Sequence, residues 1–194
     1  MFHIIAKTSL YTLPYINDLM SRPYVKVHLS NLDKDAVNMY QDIYKQINFS
    51  LEITKPSEQA FKALINTNRI GGSLLLFAEP VGRQEIDNLN FLVKHQLLPN
   101  LTEQKYLWHL ADRGLSLEKT EYWSKVKNWR GIVLPHHSER SGKFIWWCYQ
   151  QGLLRVMMKN THKASYTRAH QEEVSAEGVS LFWASVLEYL STSN

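Results

Sequence analysis

Val25, Val27 and Leu29 alternate with Lys26 and His28, the period of a strand with one buried face, and predict a strand over residues 24–29. A further short strand is expected over residues 3–10. Ala36, Val37, Tyr40, Ile43, Tyr44 and Ile47 recur at helical spacing and predict a helix over residues 34–47, with Asp33 or Asn31 as its cap. Phe49, Leu51 and Ile53 alternate again until Pro56. Ser57 then caps a helix whose stripe is Ala60, Phe61, Leu64 and Ile65, and Gly71-Gly72 breaks the chain after it. The run Leu74-Leu75-Leu76-Phe77-Ala78, stopped by Pro80, is what a strand buried on both faces requires. Ile86, Leu89, Leu92 and Val93 place a helix over residues 83–97, closed by Pro99-Asn100.

Beyond residue 100 the pattern becomes mainly helical, and all six tryptophans lie there. Thr102 is a candidate cap for a helix carrying Tyr106, Leu107, Leu110 and Ala111 up to Gly114. Ser116 or Leu117 opens another, with Tyr122, Trp123 and Val126. A third spans residues 138–151, with Phe144, Trp147 and Cys148 inward and Gly152 ending it. Residues 153–159 and 164–170 are expected to pair as a hairpin across Asn160-Thr161-His162-Lys163. Val179, Phe182, Trp183, Val186, Leu187 and Leu190 mark a terminal amphipathic helix, whose wide stripe is expected either to pack on the chain's own core or to seat a second copy of the chain. The fold class that follows is α+β. A mixed α/β lobe is expected over residues 1–98, of no assigned role, and a mainly helical lobe over residues 101–194.

Composition adds little until charge is divided along the chain. With 44% hydrophobic and 21% charged residues the sequence is ordinary for a globular protein. The first residues lack the layout of a secretory signal, no apolar run approaches the ~20 residues of a membrane span, and the lone Cys148 has no disulfide partner, so a cytoplasmic protein is expected. The net charge is +4, but residues 125–170 hold nine Lys and Arg against Glu139, a local +8 that leaves −4 for the rest. Such a cluster attracts polyanions.

Three helices, the phrase Gln150-Gln151-Gly152-Leu153-Leu154-Arg155, a basic hairpin and Ala176-Glu177-Gly178 together resemble a winged-helix DNA-binding domain over residues 102–170. The stretch Asn128-Trp129-Arg130-Gly131-Ile132-Val133-Leu134-Pro135 is longer than that family's tight turn and partly strand-like. The resemblance implies that the third helix enters the major groove and the wing meets a neighbouring phosphate or the minor groove. The residues expected at nucleic acid are Lys125, Lys127, Arg130, Arg140, Ser141, Lys143, Arg155, Lys159, Lys163 and Arg168, with DNA favoured over RNA. Independently of the family, a first helical turn with Ser138, Arg140, Ser141 and Lys143 offers unpaired N–H groups to phosphate, and Arg140 suits a guanine edge.

Catalysis is the weaker expectation. Gly71-Gly72 lacks a following Gly-Lys-Ser or Gly-Lys-Thr, and there is no nucleophile elbow. Adjacent His136 and His137 lack a spaced carboxylate or cysteine for a metal site, and Asp87, Glu103 and Lys105 do not make a nuclease triad. No catalytic residue, metal or cofactor is therefore expected. Two rivals to a DNA-binding regulator remain: an adaptor meeting an acidic protein, and a metal-independent ribonuclease using His136 or His137 as general base with Tyr149, Lys143 and Arg140 nearby.

Overall fold

The alternation at Val25, Val27 and Leu29 becomes β2 (Val25–Ser30), which pairs in parallel with β1 (Phe2–Lys7) in the register Phe2 to Val25 through Lys7 to Ser30. The computed structural model that shows this describes residues 1–65, 74–77, 79–160 and 178–192. A parallel pair needs a crossover, and α1 (Leu13–Met20) supplies it, with Pro14 in its first turn. Only Ile16 of this helix is buried, and so short an apolar stripe left no periodic signal in the sequence. The helix expected over residues 34–47 is α2 (Asp33–Gln46), which packs on both strands and buries Ile43. These elements form a first unit, Met1–Phe49.

The second unit, Ser50–Asn194, is built on a parallel sheet in the order β3 (Leu51–Thr54), β4 (Leu74–Phe77), β5 (Gly131–Val133). The central strand follows from its apolar run. Leu75 and Leu76 are 0% and 1% exposed and belong to two different hydrophobic clusters, as the two-residue period of a strand demands. Leu75 meets Ala60 of α3 (Glu58–Ile65), Leu92 of α4 (Arg83–Lys94), and Leu97 and Leu98. Leu76 meets the larger cluster, drawn from α5 (Leu101–Arg113), α6 (Lys119–Val126), α7 (Ser138–Gln150) and α8 (Leu153–Asn160). Fully burying each of these leucines is worth about 1.5–3 kcal/mol. The last element is α9 (Gly178–Thr192).

Local signals set several helix ends as expected. Gly114, at φ 63°, and Gly152, at φ 79°, take the left-handed conformation that terminates α5 and α7. The cap of α5 is Asn100 rather than Thr102. Its side chain accepts from the Glu103 N–H while Glu103 accepts from the Asn100 N–H, closing a capping box.

The chain is α+β, as expected, but two expectations within that class are corrected. Residues 98–101 do not separate two lobes. β5 pairs with β4 across that point, and Leu76 shares a core with Leu107, Trp129 and Phe144, so the chain divides instead between Phe49 and Ser50. Residues 153–159 are not a strand but α8, whose Leu153, Leu154 and Met157 are buried at helical spacing against the larger cluster. The partner strand expected over residues 164–170 lies outside the described residues.

Candidate nucleic-acid interface

The turn into the third helix is a strand. β5 sits at one side of the sheet, and α5 closes its outer edge with side chains. Gln104 Oε1 accepts from the Val133 N–H at 3.0 Å, and Trp108 Nε1 donates to the Val133 carbonyl at 3.0 Å. After β5 the chain passes through Pro135 and His137, whose φ of 68° is rare for a non-glycine residue, and enters α7.

This route decides what the expected phosphate contacts do. Arg140 points at α5. Its Nε donates to Asp112 Oδ1 at 3.0 Å, its Nη2 to Oδ2, and its guanidinium lies 5.9 Å from the Trp108 ring centre. The hydrogen bonds hold the Asp112 carboxyl below and the guanidinium above their ordinary pKa values. Ser141 Oγ donates to the Pro135 carbonyl at 2.7 Å, and Lys143 pairs with Glu139 at 2.8 Å. Lys125 donates to Glu103 Oε1 at 2.6 Å, so one carboxylate both closes the cap of α5 and holds a cation of α6. Arg130 is turned inward, where burial lowers its guanidinium pKa, and its backbone N–H donates to Leu97 O. Four of the expected contacts therefore lie at partners within the fold, and Arg130 is drawn into it.

Lys127, Arg155 and Lys159 are exposed. Arg155 and Lys159 stand one helical turn apart on α8, opposite the buried Leu153, Leu154 and Met157. Two exposed cations thus share the outer face of α8. Lys163 and Arg168, the remaining expected contacts, lie outside the described residues.

Two features lie outside the basic stretch's expected phosphate contacts. Trp146 and Tyr149 stack on the exposed side of α7, ring centres 5.3 Å apart and planes 23° apart, with 59% and 63% of their surfaces open. Their positions outside the Phe144, Trp147, Cys148 stripe were the available signal. His136 Nδ1 lies 3.1 Å from Glu79 Oε2. The parallel pairing of β4 and β5 brings these residues together from distant parts of the chain, which no local spacing announces.

Cys148 is buried, as expected, and desolvation pushes its thiol pKa far up, so it is a core side chain rather than a nucleophile. No helix among the described residues is long and apolar enough to cross a membrane. No protein-family model, curated protein or solved structure matches the chain.

Proposed function

We propose that this chain is a non-catalytic nucleic-acid-binding protein whose contact face is the outer side of α8. The observation that carries the reading is the exposure of Arg155 and Lys159 at i, i+4 on a helix whose other side is anchored in the core. Lys163 and Arg168 follow in the sequence and extend the same charge. The stacked Trp146 and Tyr149 on α7 form an aromatic platform of the kind that stacks on unpaired bases, which the single-stranded arm of the test addresses. Duplex DNA is favoured because it presents about one charge per 1.7 Å, and closely spaced cations gain most from a dense line of phosphates.

The reading differs from the one the winged-helix resemblance implies. Arg140, Ser141 and Lys143 at the start of α7 are engaged by Asp112, Pro135 and Glu139, so the recognition surface moves from that helix end to α8. Titration with duplex DNA, single-stranded RNA and an acidic control protein tests it. Duplex binding at lower concentration than either competitor is expected. Preference for the acidic protein would replace this reading with an adaptor role. The Glu79–His136 pair favours one second reading, RNA cleavage with a carboxylate-oriented imidazole as general base. Metal-independent cleavage that His136→Ala abolishes would establish it.

We also propose that two copies associate through α9. Val179, Leu181, Phe182, Trp183, Leu187, Tyr189 and Leu190 are all exposed on that helix. Glu188 is its only charged residue and it has no cation, so it does not match an anionic lipid surface. A like helix is the matching partner.

A further inference from the structure

In the first unit, His3 of β1 and His28 of β2 are diagonal neighbours on one face of the sheet, since His3 stands opposite Lys26 and Ile5 opposite His28. His3 Nδ1 and His28 Nε2 are 3.1 Å apart. The ring centres are 5.3 Å apart and the planes 17° from parallel. With the centres that far apart and the nitrogens that close, the rings meet edge to edge, each facing nitrogen directed at the other. We propose that this pair is a proton-operated latch on the β1–β2 ladder, closed while at most one ring is charged and opened when both are.

The chemistry follows from counting protons. When both rings are neutral, one facing nitrogen carries a proton and donates it to the lone pair of the other. One added proton goes to an outer nitrogen and leaves that contact intact as a charge-assisted hydrogen bond. A second added proton sets N–H against N–H, removes the acceptor and places two cations side by side.

The charges that act on the rings add to that second charge. Lys26 acts on both His3 and His28, and it is positive. From α2 and the residues after it the pair meets aromatic groups. The Phe49 ring is edge-on to His3 at 5.8 Å, Tyr44 lies against Phe49 and Tyr40 against Tyr44. Of the acids on the helices packed against these strands, Asp33 pairs with Lys7, Asp42 with Lys45 and Asp18 of α1 with Arg22, and Asp35 of α2 is exposed. Burial, the larger cause for both rings, and this positive neighbour lower both histidine pKa values from 6.5. Folded pKa values below the unfolded value mean that the unfolded chain binds the extra protons first. Stability from the pair is complete above about pH 6.5 and is lost as pH falls through the folded values.

The test is amide hydrogen exchange on the full chain in buffer containing EDTA, which excludes a metal bridging the rings, with rates divided by their intrinsic values at each pH. Between pH 7 and pH 5, protection of the β1 and β2 amides is expected to fall about tenfold or more, while β4 and β5 serve as internal controls. In His28→Gln, whose amide does not titrate and can still bond His3, the fall is expected to be under about twofold. Equal falls in both chains, or none in the wild type, overturn the latch. Should the variant not fold, ring titration of the wild type by NMR decides. Coupled steps with the second below the ordinary histidine range support the latch, and two independent ordinary titrations overturn it.

Discussion

Gly131 occupies a position that no side chain can share. A Cβ there would stand 2.3 Å from the Leu75 carbonyl oxygen and 2.9 Å from Leu98 Cδ2, so the close approach of β5 to β4 depends on glycine. Gly131→Ala is expected to lower stability by about 1–3 kcal/mol through forced displacement of β5. Chemical denaturation reads this as a lower midpoint at unchanged slope. Arg140 presents the opposite case, a residue whose sequence context points to a base edge but whose guanidinium is held by Asp112 and lies 5.9 Å from the Trp108 ring centre. Arg140→Ala is therefore expected to change affinity for preferred and random duplexes by the same factor, within about twofold, because one bidentate base contact would be worth about 1–3 kcal/mol of discrimination. A larger loss on the preferred duplex, measured by fluorescence anisotropy, would return Arg140 to the binding surface.

At the scale of elements, the contact face assigned to α8 makes a quantitative claim. If Arg155, Lys159, Lys163 and Arg168 meet four phosphates of duplex DNA, log K falls with log salt at a slope of about −3 to −4. Arg155→Glu with Lys159→Glu is expected to flatten that slope by about two, whereas Lys143→Glu is expected to leave it nearly unchanged. An unaltered slope in the double variant removes α8 from the interface. This element also marks how far the sequence can be read. Leu-Leu-Arg-Val-Met-Met-Lys fits a strand or a helix, and the basic residues after it invited a hairpin. Burial of Leu153, Leu154 and Met157 beside α7 selects the helix, a tertiary effect that local spacing does not carry. The central strand β4 was legible because burial on both faces leaves a continuous apolar run. Its pairing with β5 was not, because three helices intervene and a parallel partner leaves no local mark. The same pairing hid Glu79 from His136, whereas the exposed Trp146 and Tyr149 were visible as residues left outside the α7 stripe.

Over the whole molecule, charge summed along the sequence and charge displayed in space differ. The +8 of residues 125–170 is reduced by Glu103 and Asp112, acids from outside that stretch which α5 brings to Lys125 and Arg140. Apolar surface departs from expectation in the other direction. Val179, Phe182, Trp183, Val186, Leu187 and Leu190 form one stripe in the sequence pattern, yet Leu181 and Tyr189 are exposed beside them, so apolar groups surround much of α9. A helix of that character ordinarily lies inside a protein. Its 15 residues extend about 22 Å, enough for four turns against an antiparallel copy. A single helix pair of that length buries less than the roughly 800 Å² per partner typical of stable complexes, so a reversible dimer is expected at micromolar rather than nanomolar concentration. For a duplex binder such a dimer combines the affinities of two α8 faces if both reach one DNA. Sedimentation velocity of the wild type should show the average mass rising with concentration through the micromolar range. Phe182→Glu with Val186→Glu should give a folded monomer with an unchanged far-ultraviolet spectrum. A wild type that stays monomeric throughout rejects the association, and a variant that unfolds or aggregates assigns α9 to the core of its own chain.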